Sequence, residues 1–241
     1  MRTSREAERH ERGRARRALG AVRSQVQPGS FPLLLGAAVL LYVVNGLAGE
    51  TLAAATLERV ARIGLACAGL YVLSANRTTL LLGIVVVALA FSLEARLWTV
   101  DPRLNRVLLD SLIGAFSLWI LVVVLREVFR PATTERDAVV GALCGFLIIL
   151  TVFTRAHGLL EALFPGSYHA DGPALSERSN SALIALFQYF STMTVTTVGF
   201  GDVVPVTPLA RLTTGLEAIV GQLYLAVVIA TLVGRVVARR Q

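Results

Sequence analysis

Lysine does not occur in this chain of 241 residues, and all 23 basic residues are arginine. That bias reads as a property of the coding background and carries no function. Charge of either sign is scarce. Only 16% of residues are charged and 55% are hydrophobic, with a mean hydropathy of +0.67. A soluble domain of this size is usually about 45–50% apolar, so the composition argues against the soluble class. The two cysteines, Cys67 and Cys144, lie in apolar runs, which argues against a disulfide framework. The apolar segments also lack a nucleophile–base pair or metal motif, which argues against a membrane enzyme. His157, His169, Asp171 and Glu177 share a polar stretch, but their spacing fits no metal-ligand pattern.

The net charge of +7 is unevenly spread. Arginines stand at 2, 5, 9, 12, 14, 16, 17 and 23, against Glu6, Glu8 and Glu11. A nucleic-acid arm would interleave aromatics, and this tract has none before an apolar run begins. Arg2, Arg5, Arg9, Arg12 and Arg16 would share one face of a helix. Each basic residue near an anionic leaflet is worth about 1 kcal/mol. The tract therefore reads as an anchor against anionic lipid, with a solvated tail as the alternative.

Crossing a bilayer takes about 20 mostly apolar residues. Phe31 to Gly49 qualifies as a first span, too long and too basic in its approach for a cleaved leader. Ile63 to Ala75 is a weaker second. It must reach back through Glu58, Arg59 and Arg62, where Glu58 and Arg62 can pair four residues apart. Thr78 to Leu93, Val107 to Leu125 and Ala138 to Thr154 follow. Asp110, near one end of the fourth, could pair with Arg59 or Arg62. A polar stretch from Arg155 to Asn180 reads as a loop outside the bilayer. Ser181 to Thr194 has the length of a re-entrant segment, since about 10–14 apolar residues rarely span. The last span runs from Leu212 to Gly234. Six spans place both termini on one side. Arg126, Arg130, Arg136, Arg235, Arg239 and Arg240 are then inside, as the positive-inside rule asks. The count leaves Arg96, Arg103 and Arg106 outside.

The most informative stretch is Thr194-Val195-Thr196-Thr197-Val198-Gly199-Phe200-Gly201-Asp202. Gly199 and Gly201 can leave the right-handed backbone regions without a Cβ penalty. This segment resembles the TxTTVG[YF]GD signature of potassium channels, and residues from about Asp137 to Gly234 resemble that family's two-helix pore module. The resemblance implies that Thr197, Val198, Gly199, Phe200 and Gly201 present carbonyls, and Thr197 its hydroxyl, toward an axis. There four copies would replace the water shell of K+. One strip per chain implies a homotetramer, with K+ as the permeant species and no cofactor.

The same resemblance assigns supporting roles. Asp202 matches the acid at the outer mouth, and Tyr189 matches the pore-helix aromatic that bonds to it. Thr196 and Glu217 are expected to support the filter, with Glu217 bonding behind it. Gly221 matches a hinge glycine, with close helix packing as the alternative. Gln222 and Leu225 are expected to line the cavity. Phe200 stands where many members have tyrosine, and Met193 where some have glutamate, so inactivation behaviour does not carry over.

The fourth span contains no arginine, whereas a voltage sensor carries arginines every third residue. Weak voltage dependence is expected. The chain is thus read as an all-α membrane protein with six transmembrane helices and a re-entrant pore helix. Its parts are a basic segment (1–30), a four-helix sensor-like bundle (31–130) and a pore domain (131–241). The expected setting is the cell membrane, with both termini cytoplasmic and no nucleic-acid partner. A non-selective cation channel and a regulatory subunit are the competing functions.

Overall fold

A computed structural model describes residues 26, 29–47, 52–95, 101–130 and 133–239. The arginine tract through Arg23, together with Arg96, Pro131 and Arg240, lies outside the described residues. The helices are α1 (Phe31–Gly46), α2 (Leu52–Leu73), α3 (Arg77–Glu94), α4 (Pro102–Val128), α5 (Glu135–Leu163), α6 (Asn180–Val195) and α7 (Pro208–Arg239). Two strands of three residues, β1 (Tyr168–Ala170) and β2 (Val203–Pro205), pair antiparallel with Ala170 opposite Val203. The sequence pattern had not signalled this pairing.

Helix starts follow local chemistry. The Asp101 carboxylate accepts from the Arg103 and Leu104 amides, and Pro102 opens α4 where no amide is needed. Thr134 caps α5 at the Asp137 amide, and Glu135 and Asp137 sit at the positive end of its dipole. Ser179 caps α6 at the Ala182 amide.

Among the described residues four helices are long and apolar enough to cross a membrane: α3, α4, α5 and α7 over Pro208–Thr231. α1 is apolar over a shorter length of 16 residues. α2 does reach back through Glu58, Arg59 and Arg62, as expected of the weak second segment. Large apolar side chains such as Leu33, Leu81, Val85, Leu223 and Ile229 stand exposed on α1, α3 and α7. Such surfaces fit lipid or another subunit rather than water.

α5 is the central element, packed against α1, α4, α6 and α7. One core joins Leu34 of α1, Val72 of α2, Val124 of α4, Ile148 and Ile149 of α5 and Val228 of α7. A second holds β1, α6 and β2 together through Tyr168, Leu183, Phe187, Phe190 and Val203.

Three expectations are corrected. Residues 155–163 are not loop but the last turns of α5, because their buried face continues the helical period through Thr154, His157, Gly158 and Glu161. His157 is therefore fully buried and separated from the exposed His169, Asp171 and Glu177. Asp110 pairs with Arg155 of α5 at 3.0 Å and lies 3.8 Å from Arg106, not with Arg59 or Arg62. Arg62 instead binds Glu58 at 2.9 Å and Glu94 at 2.5 Å.

Candidate functional site

The strip after α6 is built on that helix's last carbonyls. The Thr196 amide donates to Thr192 O and the Thr197 amide to Thr194 O, each at 3.0 Å. The Val198 and Gly199 amides both donate to Met193 O, at 2.9 and 3.2 Å. Beyond that point every second residue is left-handed: φ is 61° at Thr197, 58° at Gly199 and 82° at Gly201. Alternation of this kind turns successive carbonyls toward one side. Glycine occupies two of the three positions without penalty. Thr197 takes the third at a cost of roughly 1–2 kcal/mol, and its hydroxyl donates to Thr196 O at 2.7 Å.

The side chains of Val198 and Phe200 stand exposed on this single chain. Tyr189 lies near the Asp202 carboxylate. The Asp202 carbonyl accepts from the Asp171 amide at 3.3 Å, so the loop before α6 also holds the end of the strip. β2 follows at once and fastens it to β1.

Behind the strip lies α7. A Cβ on Gly221 would stand 2.8 Å from Val195 Cγ1 and 3.1 Å from Val195 O. Close approach of α7 to the end of α6 therefore requires glycine here. Gln222 and Leu225 lie on the open side of α7, uncovered by this chain. Glu217, one turn before Gly221, is fully buried. It bonds to α5 rather than to the strip: its Oε2 lies 2.8 Å from His157 Nε2. His157 Nδ1 in turn lies 2.6 Å from the Tyr168 hydroxyl on β1. Burial first, and then the carboxylates of Glu217 and Glu161, push the Tyr168 phenol above its ordinary range.

Sequence reasoning missed His157 and Tyr168, and also the residues by which α1 holds α6. The Tyr42 hydroxyl lies 3.1 Å from Thr192 Oγ1, and Asn45 Nδ2 donates to Gln188 Oε1 at 2.9 Å. Gln188 Nε2 donates to Tyr42 O at 2.9 Å. Asparagine and glutamine inside apolar segments were the available signal, since such groups must find partners when buried.

Residues 167–238, which take in β1, α6, the strip, β2 and most of α7, match the family described as ion channel. That match covers less than half of the chain. The matched family is one of ion channels. Over 80 residues the chain is 34% identical to the inward rectifier potassium channel Kirbac3.1 of Paramagnetospirillum magnetotacticum. That alignment takes in 33% of this chain and 27% of the relative, so the chain covers little more than a quarter of that channel's length. No solved structure matches the chain. The matched channel segment leaves α1 to α5 outside it.

Proposed function

We propose that this protein is a potassium-selective channel that assembles as a homotetramer and passes K+ down its gradient. The observation that carries the reading is the alternation of left-handed residues at Thr197, Gly199 and Gly201 directly after the end of α6. Carbonyls turned one way can replace a cation's hydration shell only when several strips face each other. One chain has one strip, which calls for four copies. The exposed Val198 and Phe200 side chains and the open side of α7 are surfaces that neighbouring subunits would cover. The five filter residues, with Thr196, Tyr189 and Asp202 as supports and Gln222 and Leu225 on the cavity side, form the conduction path of this proposal. Gly221 is its candidate hinge.

Six spans with cytoplasmic ends in the cell membrane complete the proposal, with the arginine tract against anionic lipid. Two of the outer arginines that oppose this topology have partners. Arg103 donates to the carbonyls of Ala162 and Leu163 at the negative end of α5, each at 2.8 Å, and Arg106 faces Asp110. The channel is not steeply voltage-gated. Moving one charge across 100 mV is worth about 2.3 kcal/mol, and the arginines of α4, Arg103, Arg106 and Arg126, stand toward its two ends.

Purified protein in liposomes provides the test. K+ flux that exceeds Na+ flux and is lost in Gly199→Ala is expected; unchanged flux in that variant overturns the filter assignment. Equal K+ and Na+ flux would indicate a non-selective cation channel, and a folded protein that conducts nothing a regulatory subunit. Light scattering should give the mass of four chains. A steep sigmoidal conductance–voltage curve in planar bilayers would overturn weak voltage dependence.

A further inference from the structure

Tyr168, His157 and Glu217 form a chain of buried polar groups across three elements: β1, α5 and α7. His157 and Glu217 have no exposed surface, and Tyr168 is nearly as buried. The rings of Phe187 and Phe190 from α6 close around the imidazole. One tautomer satisfies both contacts. Tyr168 donates its hydroxyl hydrogen to Nδ1, and Nε2–H donates to Glu217 Oε2. Both bonds then run the same way, from β1 through α5 to α7. Glu217 Oε1 is buried and accepts no hydrogen bond among the described residues.

We infer that this chain is a proton-operated brace for the pore, which weakens when it takes up a proton and so lowers K+ flux. The inference rests on the channel reading given above. Imidazole is the side chain whose ordinary charge change falls between about pH 5 and 8. A proton added to the ring removes the acceptor that Tyr168 uses, so a donor faces a donor until the phenol hydrogen turns away. A proton added to Glu217 removes the charge at which Nε2–H points. Either event weakens one link. The first link holds β1, which pairs with β2 at the end of the strip. The second holds α7 one turn before Gly221, where that helix presses on Val195 at the base of the strip.

Other charged groups around the brace are already engaged. Glu161, one turn along α5, accepts from the Gly166 and Tyr168 amides at 2.8 and 3.2 Å. Asp110 of α4, which lies against Gly158, pairs with Arg155. α6 presents the rings of Phe187 and Phe190 to His157, and Leu183, Leu186 and Tyr189 of the same helix pack in the cluster around Tyr168. Within this core the His157–Glu217 pair is left as the place for an added proton.

The test is K+ flux from liposomes holding the full chain, stepped from pH 8 to pH 5 on both faces. Flux of the natural protein should fall at least about five-fold, the scale of an ordinary coupling between sites. His157→Gln and Glu217→Gln should flatten that response, and Tyr168→Phe should shift its midpoint. A natural protein that responds less than two-fold, or a full response in both glutamine variants, overturns the brace. A second measurement does not depend on those variants folding. The chain has three histidines, His10, His157 and His169. In His10→Gln/His169→Gln the imidazole nitrogen-15 signals report His157 alone. A bare Nδ1 at pH 8 that is protonated at pH 5, or a loss of the Nε2–H bond, supports the brace; an unchanged ring overturns it. That transition without K+ flux at any pH would count against the channel reading alone.

Discussion

Asn45 on α1 donates to Gln188 on α6 across 143 positions of sequence, and Gln188 donates back to the carbonyl of Tyr42. The first described helix is thus bonded to the helix that carries the Thr194–Asp202 strip. Both side chains are buried, so removal of one leaves the other without its partner. A buried orphan of this kind costs about 1–3 kcal/mol. Asn45→Leu and Gln188→Leu should each lower the thermal midpoint in detergent. Asn45→Leu/Gln188→Leu should cost less than the sum, because it leaves fewer orphans. A strictly additive double variant would show that the bond carries no coupling.

Asp110 and Arg155 make the same point with charge. Both are more than nine-tenths buried, and the contact joins α4 to α5. Breaking a buried pair from one side typically costs about 3–5 kcal/mol, whereas apolar replacement of both partners is often neutral. Arg155→Met should destabilise strongly, and Asp110→Leu/Arg155→Met should recover most of the loss in a denaturation midpoint. Arg106, which also faces Asp110, should soften the effect of Arg155→Met relative to Asp110→Leu alone.

Gly221 separates two roles. If close packing is its reason, Gly221→Ala forces a methyl against Val195, and overpacking costs about 1–3 kcal/mol. Val195→Ala should then restore both stability and flux. A hinge predicts another pattern: Gly221→Ala lowers flux at unchanged midpoint, and Val195→Ala does not rescue it. Thermal melts and liposome flux on the three proteins decide.

Tyr168 predicts an alkaline weakness. Its phenol is held neutral above the ordinary tyrosine range in the folded state, while the unfolded chain loses that proton near about pH 10. The folded state therefore binds more protons than the unfolded one as pH rises past that value, so stability is full below it and falls above it. Melting midpoints should drop more steeply from pH 9 to 11 in the natural protein than in Tyr168→Phe. Parallel slopes would contradict the assignment.

What the sequence made legible was what depends on local order. The strip from Thr194 to Asp202 announces its left-handed glycines, and hydropathy finds α3, α4 and α7 within a turn or two of their ends, while it stops α5 at Thr154 and starts α2 at Ile63. The Glu58–Arg62 pair follows from spacing alone. What stayed hidden depends on distance. A histidine among prolines and glycines looks like loop, and only the spacing of Thr154, His157 and Glu161 signals that α5 continues. Asp110 had several arginines to choose from in one dimension. Only the packing of α4 on α5 selects Arg155. The strand pairing of β1 with β2 joins short segments on either side of a helix, too brief to show an alternation of their own.

The last carbonyls of α6 are already occupied. Those of Thr192, Met193 and Thr194 accept the amides of the strip that follows them. The helix and the strip are therefore one mechanical body, and a tilt of the first is a displacement of the second. Tyr42 and Asn45 grip that body from the front of the chain, Gly221 bears on its end, and β2 holds its far side. A force on α1 therefore reaches the strip without touching it, through the bonds of Tyr42 and Asn45 to α6.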